Sequence, residues 1–312
     1  MQSIQTTQPR PSEQSLERLA AVHRLNSAMP AAAIEGLLPL LADRDPLVRS
    51  DAARALALAA ERLGKRARTS VVVWHRPGDQ DQLQSLLRQM ERRAALAEPE
   101  EREALAETLG HMRDHRATDL LVAMLADVHA RVRSAAADGL ARTRDPLTVA
   151  ALVAASADPN PWVRRAVVSA LGPIQTAEAQ VGLLQAVDDT HPLVRTAVAR
   201  SLAHYPQARS RQALERLCQD IDPGVRLTAA QTLGQIGDAG SLDELDALSA
   251  DTTVCSGTTI GETAAASIAE IRRRERGPRA TLRRLYHRSR RTYRAWRESK
   301  QPPSESPPAP NG

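Results

Sequence analysis

The chain has 312 residues, a formal net charge of +5, no Phe and only 2% aromatic residues. Hydrophobic residues reach 42%, enough for a continuous core and more than a disordered chain carries. That composition favours Ala- and Leu-rich helices packed through small side chains and argues against an aromatic-rich β core.

The charge is unevenly placed. Residues 272–300 hold twelve Arg, one Lys and two Glu, a net of +11, and one further Glu comes after them, so residues 1–271 stand at −5. Bulk charge therefore gives the body of the chain no affinity for nucleic acid. Arg outnumbers Lys 40 to 2 overall, so the arginines of this tail reflect a chain-wide preference more than phosphate recognition. Two cysteines, Cys218 and Cys255, are too few and too far apart for a disulfide framework or a zinc site. No N-terminal run combines basic residues with an apolar core, and no stretch approaches about 18 consecutive apolar residues. The expectation is a cytoplasmic protein, with peripheral membrane association through the tail as a further option.

In chain order, residues 1–13 are expected to be disordered, and 14–27 read as an orphan second helix suited to capping a repeat array. Asp43, Val48, Arg49 and Leu56 then introduce a pattern that recurs. Asp127, Asp158, Asp189, Asp220 and Asp251 fall 31 residues apart. Each of the first four leads to Val-Arg (Val132-Arg133, Val163-Arg164, Val194-Arg195, Val225-Arg226) and then to Leu140, Leu171, Leu202 or Leu233. Arg102 is in register with Pro99 and Leu109, but Leu96 stands at the Asp position. From Arg49 to Arg102 is 53 residues, so this repeat holds 22 extra, placed near 61–82. Within them, Val71–Gly78 breaks the helical pattern and is either a protruding binding loop or a longer helix connection.

Each unit reads as helix, tight turn, helix. Asn160 suits an N-cap and Pro161 the first helical position, where a missing N–H costs nothing. Val163, Ala166, Val167, Ala170 and Leu171 share one face at helical spacing. One unit cannot bury that face alone, so neighbouring units must supply the core. After Asp251 the Val-Arg pair is lost, and Thr253–Gly261 reads as a longer loop before a helix over Glu262–Arg274. The fold expected over 14–274 is an all-α solenoid of about seven two-helix repeats.

The stretch Asn160-Pro161-Trp162-Val163-Arg164-Arg165-Ala166 resembles the short HEAT-like repeat of phycobilisome (bilin) lyases and many other bacterial proteins. The resemblance covers roughly residues 31–274. It implies that the repeated Asp and Arg bond along the turns, as scaffolding, and that the second helices line a partner-binding groove. It also implies one enzymatic alternative, a subunit of a bilin lyase-like enzyme.

Other chemistry finds little support. None of the eight His is followed by Glu, the dipeptide on which HEAT-type deoxyhypusine hydroxylases hold iron. HEAT-type DNA glycosylases have a basic, aromatic-bearing groove, which this acidic body does not suggest. The pairs Asp43/Asp45, Asp79/Asp81 and Asp220/Asp222 fit helix caps better than a metal site. Cys218 reads as core and Cys255 as an idle thiol in a loop. No catalytic residue, cofactor or metal is expected.

In the groove, positions four, seven and eleven after each repeated Asp share a face. Arg131, Trp162, Arg165, Arg200 and Leu227 are the partner-binding candidates there, because Trp and Arg dominate interface hot spots. In the tail, residues 275–300 are expected to form a basic amphipathic helix, with 301–312 disordered. Leu285, Tyr286, Arg290, Arg291, Tyr293 and Trp296 are its candidate contacts. Such a helix suits an acidic protein groove, an anionic membrane surface or nucleic acid. The reading these features support best is a non-catalytic adaptor or assembly factor that binds a protein partner.

Overall fold

The structure is a computed structural model that describes residues 13–26, 30–69, 79–112, 115–255 and 257–276. It is helical almost throughout. The chain opens with α1 (Glu13–Asn26) and α2 (Pro30–Leu37), the latter running into a 3₁₀ turn at Leu38–Ala42. Next come α3 (Pro46–Thr69), α4 (Asp79–Leu96), α5 (Pro99–Met112), α6 (His115–Met124), α7 (Ala130–Thr143), α8 (Val149–Ala155) and α9 (Pro161–Leu171). The array continues through α10 (Ala177–Gln185), α11 (Pro192–Ser201), α12 (Ala208–Leu217), α13 (Pro223–Ile236), α14 (Leu242–Leu248) and α15 (Ile260–Arg276).

The second helices form the spine: α1, α3, α5, α7, α9, α11, α13 and α15 each pack on the next. The even-numbered helices flank them, giving seven two-helix units preceded by α1. That helix falls where a second helix is expected over 14–27, and it packs on α3 as the other second helices pack on their neighbours. Asn160 caps α9 by accepting the Trp162 amide at 2.8 Å, and Pro161 occupies the first helical position. One contiguous apolar core runs from Val22 to Ile271.

Small residues let the spine close up. A Cβ on Gly110 would lie 2.4 Å from the Gly139 Cα, so α5 and α7 touch backbone to backbone. We expect Gly110→Ala to destabilise the array by about 1–3 kcal/mol through overpacking, although alanine is the better helix former. Urea denaturation checks this.

Polar ties run along the turns beside the apolar spine. In Arg133, Nε and Nη2 donate to Oδ2 and Oδ1 of Asp158 in the next unit, at 2.6 and 2.9 Å. Its Nη1 donates back to the carbonyl of Asp127, at 2.8 Å. Asp158 also accepts the Asn160 amide at 2.8 Å. The arrangement repeats at Arg102–Asp127, Arg164–Asp189, Arg195–Asp220 and, through Nε, Arg226–Asp251. Arg18 of α1 adds another step by pairing with Asp43 at 2.7 Å.

Burial alone would push the Asp158 carboxyl up. The Arg133 fork and the Asn160 amide outweigh it and hold the group below its ordinary range. Asp127, Asp189 and Asp220 are lowered by the same balance. A depressed carboxylate contributes stability in full above its unfolded pKa of about 4 and loses it as pH falls through the folded value. Arg164→Ala should therefore cost about 1–3 kcal/mol at pH 7, because Asp189 stays half-buried without its fork. The deficit should shrink as pH is lowered below about 4, which paired melts of variant and wild type at pH 7 and pH 3 measure.

Two expectations are refined. The Thr253–Gly261 loop contains a two-stranded antiparallel hairpin, β1 (Val254–Cys255) with β2 (Thr258–Thr259), turning at Gly257 with φ +88°. Near 61–82, α3 continues to Thr69 and α4 begins at Asp79. The Val71–Gly78 segment, the N-terminal residues 1–12 and the tail beyond Arg276 lie outside the described residues.

Candidate partner-binding surface

Seven-residue steps along a helix return nearly to the same face, so positions four, seven and eleven after each repeated Asp form three columns along the spine. The fourth position is the outermost. Glu100, Arg131, Trp162 and Leu193 are exposed there, Trp162 by 55%. The seventh position is half-buried at Glu103, Ser134, Arg165 and Thr196. Leu227, at that position in the next unit, is only 6% exposed. It belongs to the core and not to the binding face. The column lies at the edge of the seam between second helices, so an apolar side chain sinks in while an arginine keeps its charged end in water.

Among the candidates, Arg131, Trp162 and Arg165 come together. The Arg165 guanidinium carbon lies 5.6 Å from the centre of the Trp162 ring, a cation–π stack that fixes the indole on the surface. Trp162 and Arg131 line a pocket of about 390 Å³ with Glu103, Ser134, Asp138 and Asn160. Arg200, on α11, is exposed but stands apart from that pocket. The six tail candidates, Leu285, Tyr286, Arg290, Arg291, Tyr293 and Trp296, lie outside the described residues.

Asp138 is the residue that sequence reasoning placed in a column without singling out. Burial pushes its carboxyl above the ordinary range, against the pull of Arg165 and Arg142. The Arg165 Nε is buried and has no hydrogen-bond partner. The pocket thus pairs an aromatic wall with two acids, Glu103 and Asp138, and the Arg131 guanidinium. Its chemistry suits an incoming side chain that carries both an apolar stem and a polar end.

Elsewhere the polar groups do structural work. Asp45 accepts the Leu47 amide at 2.9 Å, and Asp222 accepts those of Gly224 and Val225, both as helix caps. Among the described residues, no group of three or more His, Cys, Asp and Glu is placed to hold a metal ion. No helix among them is long and apolar enough to cross a membrane. Cys218 is buried, and burial with the nearby Glu244 and Glu215 pushes its thiol up to about 12. Cys255 is partly exposed on β1. A thiol reagent at pH 8 should label Cys255 in the native protein and Cys218 only after unfolding. Mass spectrometry of the labelled peptides checks this.

The helix pairs, their 31-residue step and the turn ladder are those of a repeat family, and its profile, described as HEAT repeats, matches residues 34–141, 85–172, 125–203 and 181–255. The chain belongs to the HEAT-repeat family. Its HEAT array resembles the crystal structure of YibA from Escherichia coli, at 20% identity and a TM-score of 0.53, over 85% of this chain and 99% of that one. The complex of CpcE and CpcF of phycocyanin lyase from a Nostoc species is similar at 19% identity and a TM-score of 0.40, over 76% of this chain and 94% of that one. At these identities the likeness is one of fold alone. A search of curated proteins finds no match.

Proposed function

We propose that this HEAT array is a non-catalytic adaptor that holds a protein partner along its second-helix face, centred on Trp162. The observation that carries the reading is the exposed indole, held by Arg165 at the rim of a pocket that Arg131 and Asp138 also line. A large aromatic fixed in one orientation loses little entropy on binding, and such residues make interface hot spots. Half the array's length lies on either side of it, so a partner seated there can extend over neighbouring units.

The basic segment 278–300 supplies a second contact in this proposal, through Leu285, Tyr286, Arg290, Arg291, Tyr293 and Trp296. Two linked contacts raise the effective affinity by acting at high local concentration. The tail's preferred target is an acidic protein surface, with an anionic membrane or nucleic acid as the outcome if its binding collapses with salt.

The test is cross-linking and affinity purification of the full chain, followed by affinity measurement on the partner recovered. Changing Trp162, Arg165 and Arg200 together to Ala should weaken that partner by at least about 30-fold, or ~2 kcal/mol, at unchanged melting temperature. Ending the chain at Gly277 should weaken it less. Equal affinity of the triple variant and the wild type would remove the groove from the interaction.

A further inference from the structure

We propose that Arg49 is a receptor for a carboxylate supplied from outside the array. The ladder itself shows what such an arginine is built to hold. Arg102, Arg133, Arg164 and Arg195 each use Nη1 to grip the backbone carbonyls of their own turn, and present Nε and Nη2 as a fork. Each fork carries a carboxylate in two parallel bonds, 2.6–3.0 Å long. This is the geometry in which guanidinium recognises carboxylate most specifically.

Arg49 has the same anchor without the cargo. Its Nη1 donates to the carbonyls of Asp43 and Arg44, at 2.7 and 3.1 Å. Its Nε and Nη2 have no hydrogen-bond or ion-pair partner among the described residues. They are not sealed in either, since Arg49 is only half-buried. In register, the acid that would fill this fork is replaced by Leu96. That residue ends α4 and is 87% exposed, so its side chain turns to water and does not cover the fork.

Three nearby acids are already engaged. Asp43 is paired with Arg18 at 2.7 Å, and Asp45 accepts the Leu47 amide. At the start of α5, Glu101 pairs with Arg93 instead. The result is a half-buried, pre-oriented fork, open on the side where every equivalent arginine holds an acid. Ordering costs little there, because the Nη1 bonds already fix the side chain. A single such contact gives selectivity more than affinity, so its natural occupant is one acidic group of a larger protein partner. The site lies on the turn edge of the first unit, away from the Trp162 pocket, and does not depend on the groove reading.

The Nε–H resonance of Arg49, assigned by its loss in Arg49→Gln, reports occupancy directly. Three capped peptides probe it on the full chain: acetyl-Ala-Asp-Ala-amide, acetyl-Ala-Asn-Ala-amide and acetyl-Ala-Ala-Ala with a free carboxyl terminus. The expected result is a shift that grows with either acid, is reversed by salt and is absent with the Asn peptide. The stronger of the two acids tells a side-chain carboxylate from a chain terminus. Separately, Leu96→Asp places an acid at the vacant ladder position and should raise the melting temperature by about 2–4 °C. Arg49→Gln should abolish that gain. An Arg49 resonance that ignores both acids, or answers the Asn peptide equally, overturns the proposal, as does a Leu96→Asp gain that survives Arg49→Gln.

Discussion

The two-ended grip of the ladder arginine is the constraint on which the array depends. One end holds the turn that begins its own second helix, and the other holds the turn of the next unit along. A helix pair packed only through Ala, Val and Leu could slide or rotate against its neighbour at modest cost, since apolar contact has no direction. The bidentate fork removes that freedom, because two parallel bonds fix an orientation as well as a distance. Arg164, between Asp158 and Asp189, shows both ends at once. The ladder sets the spacing on the turn edge, while close contacts such as Gly110 against Gly139 set it along the spine. Together they leave the exposed columns of the second helices free to vary.

That division explains why some features are legible in the bare sequence and others are not. The Asp and Arg of the ladder recur because each makes the same bonds, so a fixed period exposes them. Arg18 obeys the same rule: it lies 25 residues before Asp43, as Arg133 does before Asp158. The spacing is present in the sequence, but Ser12 stands where a repeat's Asp would precede Arg18, so nothing announces the step. Leu227 is misplaced by its period, because period alone assigns a column and says nothing of how deep a side chain settles in it. The hairpin at Val254–Thr259 is hidden for another reason: it is two residues per strand, too short for any alternating pattern.

The binding face is legible in outline only. Trp162 and Arg165 stand out by residue type, yet their stacking depends on the turn-to-helix geometry that positions four and seven share. Asp138 gives no signal, because a lone aspartate on a helix face looks like any solvated acid. Its distinction comes from α7 and α9 closing over it and pushing its carboxyl up. Such environments are products of packing between units, so they exist only once the units are assembled.

Repeat arrays carry a hazard in their symmetry. A unit made to receive its successor also presents, at either end, a surface made to receive another copy, and head-to-tail stacking without closure yields open filaments. Here α1 covers that surface of α3, with Val22 buried and Arg18 paired to Asp43. Its exposed residues are mixed, Leu16 and Ala20 standing among Gln14, Glu17, His23 and Arg24. A second molecule docking there would have to strip water from the charged and polar groups. Head-to-tail stacking onto α3 would in addition have to displace α1 and break the Arg18–Asp43 pair.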